Sequence, residues 1–157
     1  QQRTHDPLTG LLNRQGLRHW VASQSAEEPV ALGMVDLDHF KQINDLHGHG
    51  MGDQVIRHLA TLLQACGSEH CRAARLGGEE FVVVALGSGR GPDLRQMLER
   101  LRQQFADTAP QPGATLSAGL ALGSVGEFEA TLREADAALY RAKQAGRNRV
   151  EAAFSAI

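Results

Sequence analysis

Two stretches, CRAARL (71–76) and EFVVVAL (80–86), flank Gly77–Gly78, and this limits the fold more than any other part of the chain. Paired glycines between β-prone runs predict a tight hairpin, so these two strands must run antiparallel. Elsewhere strands and helices alternate. PVALGMVDLD (29–38) is an apolar run of strand length that stops at two aspartates, and QPGATLSAGLALG (111–123) is a turn followed by a strand. Helical spacing appears at Leu17, Trp20 and Val21 within 14–24, and at Phe40 and Ile43 within 39–46. HGHGMG then breaks the pattern, which resumes from Asp53 with Val55, Ile56, Leu59, Leu62, Leu63 and Cys66. Residues 92–107 carry an apolar stripe of Leu94, Met97, Leu98, Leu101 and Phe105. A last helix spans 127–146 with Gly146 as its C-terminal cap, and RNRVEAA (147–153) closes as an edge strand. Alternation with a hairpin in the middle predicts an α+β fold, a central mixed sheet with helices packed on it, and excludes a purely parallel doubly wound one.

The chain of 157 residues suits one domain, with no internal repeat or linker. A formal net charge of −2 gives no reason to expect nucleic acid as a partner. No apolar run approaches the roughly 20 residues of a membrane helix, so no membrane contact is expected of this domain. Cys66 and Cys71 are too few and too close for a disulfide framework, and read as free thiols of a reducing, cytoplasmic compartment. Among 16 basic residues only Lys41 and Lys143 are lysine, the rest being arginine.

Both lysines fall next to candidate ligand sites. Asp36 ends its apolar run and is placed at the rim of the sheet, a candidate ligand for a metal ion. Asp38 would share its face in a continuing strand, but it precedes HFKQI and reads as a helix N-cap. Glu79 and Glu80, if on a strand, point to opposite faces and therefore do different work. One of them can join Asp36 around a divalent cation, and oxygen ligands of this kind suit Mg²⁺. Lys143 and Arg147 lie four apart, a pair suited either to solvent or to phosphate. Asn44 and Asp53 bracket a glycine-rich loop, as helix-end residues or as readers of a purine edge. His39, His47, His49 and His58 lack the partners of a zinc site.

Taken together, DPLTGLLNR (6–14), DLDHFKQINDLHGHGMGD (36–53), RLGGEEF (75–81), LSAGLAL (116–122) and ADAALYRAKQAGRNRV (135–150) occur in this order over nearly the whole chain. The sequence resembles the GGDEF family of bacterial diguanylate cyclases, in the variant with Glu at the third motif position. The resemblance implies a fold akin to nucleotidyl cyclases and polymerase palms. It implies a cytoplasmic signalling enzyme that condenses two GTP into cyclic di-GMP and releases two pyrophosphates across a homodimer. Mg²⁺ would be the cofactor, with Mn²⁺ as a substitute, held by Asp36, the carbonyl of Leu37 and Glu79. Glu80 would accept the proton of the attacking 3′-hydroxyl, and Lys41 would stabilise the transition state. Phe40, Asn44, His49, Asp53, Gly77, Gly78, Lys143 and Arg147 would bind substrate, Asn44 and Asp53 at the guanine and Lys143 and Arg147 at the terminal phosphates. Residues 1–157 would form one such catalytic domain, cut from a longer chain with an N-terminal sensor or dimerisation region.

One departure is plain. The family's RxxD product site would fall on Ser68 and Cys71, so the Arg and Asp it needs are absent. RTHD (3–6) and READ (133–136) fit those four letters in other places. Two alternatives accompany this reading: a non-catalytic module that binds GTP and regulates an attached domain, and a cyclase using ATP. Retention of Asp36, Glu79, Glu80 and Lys41 argues against the first, and Asn44 with Asp53 against the second.

Overall fold

A computed structural model describes residues 3–154. Its elements are α1 (Arg14–Ala22), β1 (Pro29–Leu37), α2 (Phe40–His47), α3 (His49–Gln64), β2 (Cys71–Gly77), β3 (Glu80–Leu86), α4 (Arg90–Thr108), β4 (Leu116–Ser124), α5 (Phe128–Gln144) and β5 (Val150–Ala152). The sheet order is β2-β3-β1-β4-β5, with only β4 and β5 parallel. The mixed sheet and the β2–β3 hairpin, which forms one edge of it, are as the sequence predicts. No helix among the described residues is long and apolar enough to cross a membrane.

β1 is central and covered on both faces, which is why it reads as an unbroken apolar run. Ala31, Val35 and Leu37 join the cluster built with α3 and α4, while Val30, Leu32 and Met34 join the one built with α1 and α5. Asp36 continues the second face at the point where it reaches solvent.

That second face depends on close approach by α5. A Cβ at Gly119 of β4 would lie 2.2 Å from the Leu139 amide nitrogen and 2.3 Å from the Ala135 carbonyl oxygen. Helix α5 thus lies directly on the strand backbone. It ends in a Schellman motif: Gly146 N–H donates to Lys143 O, Arg147 N–H to Ala142 O, and Gly146 has φ of 122°.

Two expectations are corrected. Helix α3 starts at His49, four residues before Asp53, and Gly48 alone makes the break. Its φ of 88° turns the chain, while Gly50 and Gly52 lie within the helix. Nor is Asp38 an N-cap. His39 holds that position at φ 55° without a side-chain cap bond, and Asp38 turns inward.

The N-terminal segment is fastened to the hairpin. Asp6 accepts hydrogen bonds from Thr9 N–H at 2.9 Å and Thr9 Oγ1 at 2.8 Å, and pairs with Arg75 at 3.2 Å. Arg75 in turn donates from Nε to the carbonyl of Gly78 at 2.9 Å. Burial pushes the Asp6 carboxyl up, but the bonds from Thr9 and Arg75 outweigh it and hold it below its ordinary 3.8. A depressed carboxylate stabilises the fold above its unfolded pKa, and that contribution fades as pH falls through the native one. Asp6→Asn is therefore expected to cost about 1–2 kcal/mol near neutral pH. In denaturant titrations the gap from wild type should close below pH 3.8; a gap independent of pH would show that the charge does not matter.

Candidate active site

The site forms where β1, the β2–β3 hairpin and the end of α5 meet. Register sets Asp36 directly opposite Glu80 on β3 and Ser117 on β4. Residues opposite each other share a face, with Cβ atoms about 4.5–5.5 Å apart. Glu80 is thus Asp36's cross-strand neighbour, while Glu79 lies in the turn, half-buried, its carbonyl accepting from Leu37 N–H at 3.3 Å. The turn uses Gly78 at φ 49°, a conformation glycine adopts without strain.

Asp36 is only 3% exposed. Burial raises its carboxyl to about 6, opposed by the ion pair with Lys143 and reinforced by the charges of Glu79 and Glu80. Asp36 thus has one ammonium as its partner and two further carboxylates acting on it. Asp36 Oδ1 is buried and accepts no hydrogen bond; with Asn44 Oδ1 it makes the two such side-chain atoms among the described residues. A buried acceptor left unmet costs about 1–3 kcal/mol. Both fall on residues that the sequence singles out for ligands.

Among the described residues no group of three or more His, Cys, Asp or Glu side chains is placed to cage a metal. Mg²⁺ needs no such cage, because it takes one or two carboxylates and completes its shell with water and substrate phosphates. The unmet Oδ1 of Asp36 and the excess negative charge around it fit that pattern.

The other candidates divide into two groups. Lys143 meets Asp36, and Arg147 follows in a turn at φ 66°. Asp38 fixes that turn: it accepts from Thr115 Oγ1 and Ser117 Oγ at 2.7 Å each, and from Asn148 N–H at 3.0 Å. Phe40 and Asn44 on α2 face Gly52 of α3, and Asp53 is half-buried beside it. By contrast, Lys41 is 88% exposed and paired with Asp45 at 2.9 Å, and His49 is exposed at the start of α3. Neither is drawn into the acidic cluster.

Sequence reasoning missed the inward role of Asp38, the Arg75 link to the Gly78 turn, and a cleft of about 200 Å³ beside Glu80 lined by Arg14, Arg133 and Asp136. The only sequence signal for the first was the pairing of small hydroxyls, Thr115 and Ser117, at the start of β4.

On the far side of the hairpin, Arg72 stacks over Trp20 at 5.0 Å and donates to the carbonyls of Ser68 and Cys71. Cys66 and Cys71 are free and half-buried, and burial pushes the Cys71 thiol up to about 11.

Residues 3–149 match the family described as diguanylate cyclase, GGDEF domain. The chain is 41% identical to diguanylate cyclase DgcP of Pseudomonas aeruginosa, covering 98% of this chain and 24% of that protein. It is 37% identical to diguanylate cyclase DgcM of Escherichia coli, covering 95% and 38% respectively. It thus spans well under half the length of these curated relatives. Among solved structures it is similar to the GGDEF domain of DgcB from Caulobacter crescentus, crystallised with c-di-GMP, at a TM-score of 0.87 and 36% identity over 97% of this chain and 94% of that one. The active GGEEF domain of a Vibrio cholerae diguanylate cyclase superposes at 0.79, with 33% identity over 93% and 99%.

Proposed function

The chain belongs to the diguanylate cyclase GGDEF domain family, and on that premise we propose that it joins two GTP into cyclic di-GMP. The observation that carries the reading is the acidic cluster around Asp36, whose buried Oδ1 has no partner. In each half-reaction the 3′-oxygen of one GTP bonds to the α-phosphorus of the other. The bond to the β-phosphate breaks, pyrophosphate leaves, and the 3′-proton passes to Glu80. Two such attacks close the ring, so two domains must face each other, each presenting one nucleotide.

Asp36, the Leu37 carbonyl and Glu79 would hold Mg²⁺, which neutralises charge developing on the phosphates. Lys143 and Arg147 grip the terminal phosphates, lysine as a point charge and arginine as a fork. Lys143 would exchange the Asp36 carboxylate for substrate, freeing that carboxylate to hold the ion. Lys41, on an exposed first turn of α2, reaches the phosphates by releasing Asp45; a surface pair of this kind is worth about 0–1 kcal/mol, so release costs little. Gly77 and Gly78 let the hairpin backbone lie against the nucleotide, and Phe40, Asn44, His49 and Asp53 wall the base.

Product inhibition through an RxxD site is not expected. Ser68 and Cys71 stand where its Arg and Asp would be, and Arg72 is committed to Trp20 and two carbonyls.

Incubation with GTP and Mg²⁺ at high protein concentration, followed by separation of the nucleotides, tests the reading. Cyclic di-GMP should form at a rate that rises more steeply than protein concentration and is not arrested by added product. GTP binding without any product would replace it with a non-turning module. Tight inhibition by product at Arg72 would overturn the last point.

A further inference from the structure

We infer that Gly52 sets the choice of base: lacking a side chain, it seats the Asn44 amide between α2 and α3, and any larger residue displaces it. This rests on the proposed binding of a guanine nucleotide at Asn44 and Asp53, and extends it to a residue that touches no ligand.

Glycine inside a helix is a poor choice beside alanine, because it loses the most backbone freedom on folding. Where φ is positive the cost is forced. Gly52 is not among the positive-φ glycines and sits in the first turns of α3, so its backbone would accept alanine. What it lacks is room. A Cβ at Gly52 would stand 2.0 Å from Asn44 Oδ1, 3.0 Å from Asn44 Cγ and 3.2 Å from Phe40 Cζ. Gly50, two residues earlier in the same helix, has nothing within 4 Å of its Cβ. The helix therefore contains one glycine that space requires and one that it does not.

The Asn44 oxygen packed against Gly52 is the same buried atom that has no hydrogen-bond partner. A poor helix former and an unmet acceptor thus meet at one contact. Selection for stability alone would favour a better helix former at Gly52 and a partner for that oxygen. Asp53, next in sequence and half-buried, adds a carboxylate acceptor. An amide beside a carboxylate complements guanine's N1–H and exocyclic amino group, whereas adenine presents an acceptor at N1. Inosine lacks the exocyclic amino group and so probes the contact without changing the phosphates.

The test measures equilibrium binding of GTP and ITP to the domain, with turnover in parallel, for wild type, Gly52→Ala, Gly50→Ala, Asn44→Ala and the Asn44→Ala/Gly52→Ala pair. Gly52→Ala should weaken GTP by about tenfold or more and ITP by less. The GTP-to-ITP preference would then fall, and KM would rise more than kcat drops. Gly50→Ala should match wild type. Asn44→Ala removes the two closest contacts and leaves only Phe40 Cζ at 3.2 Å, which can shift by a few tenths of an ångström. Adding Gly52→Ala to it should therefore leave GTP affinity nearly unchanged, and this comparison holds even if Gly52→Ala alone fails to fold. A further loss in the double variant, or equal losses for GTP and ITP in Gly52→Ala, would overturn the inference. So would a wild type that does not distinguish the two nucleotides. A wild type that distinguishes them but makes no cyclic di-GMP would overturn the cyclase reading alone.

Discussion

Glu80→Gln is expected to lower cyclic di-GMP formation by about 100- to 10,000-fold, the usual contribution of a general base, while GTP still binds. The change removes a proton acceptor and keeps its volume. Because Glu80 is exposed at the first position of β3, no buried contact is lost with it. Thermal stability should stay within about 0.5 kcal/mol of wild type, as for ordinary surface substitutions. The informative measurement pairs single-turnover product formation with nucleotide binding. Loss of binding together with turnover would move Glu80 from proton transfer to substrate or metal binding. Retained turnover would leave the base to Glu79, the carboxylate in the turn.

Gly119→Ala is the second large effect, and it acts through the fold. The new methyl would meet backbone atoms of α5 at 2.2 and 2.3 Å, and backbone cannot rotate away as a side chain can. Either the helix lifts from β4 or the strand bends. Overpacking of this kind costs about 1–3 kcal/mol, a fall in Tm of about 2–12 °C for a domain of this size. Lifting α5 also carries Lys143 away from Asp36, so KM for GTP should rise even at temperatures where the variant is folded. An unchanged Tm would mean that the helix sits less firmly on the strand than these distances require.

The architecture was legible because hydrophobic period and glycine placement are local signals. The run at 29–38 announced a strand, and Gly77–Gly78 announced the hairpin. Asp36 was legible for the same reason, as the polar residue ending that run. The helix beginning at His49 was not: three glycines in HGHGMG signal a break locally, and only packing of Met51 and Gly52 against α2 and the core shows that two of them are helical. Asp38 was misread because an aspartate before an amphipathic run is a good N-cap unless something distant wants it more. Thr115, Ser117 and Asn148 do, and nothing near Asp38 in sequence says so. The pairing of Asp36 with Glu80, and of Lys143 with Asp36, needed the register of β1 against β3 and the path of α5 along β4.

The contacts that join the end of α5 to β1 also set when the site can exist. The hairpin joins residues close in sequence, and pairing of that kind takes microseconds. Lys143 meets Asp36 across 107 positions and Asn148 meets Asp38 across 110. Long-range closures of this kind are slow. During synthesis a nascent chain can form the hairpin and the first helices while it still lacks Lys143, Arg147 and Asn148. The arrangement around Asp36 and Asp38 is therefore complete only when residue 148 has left the ribosome and folded back.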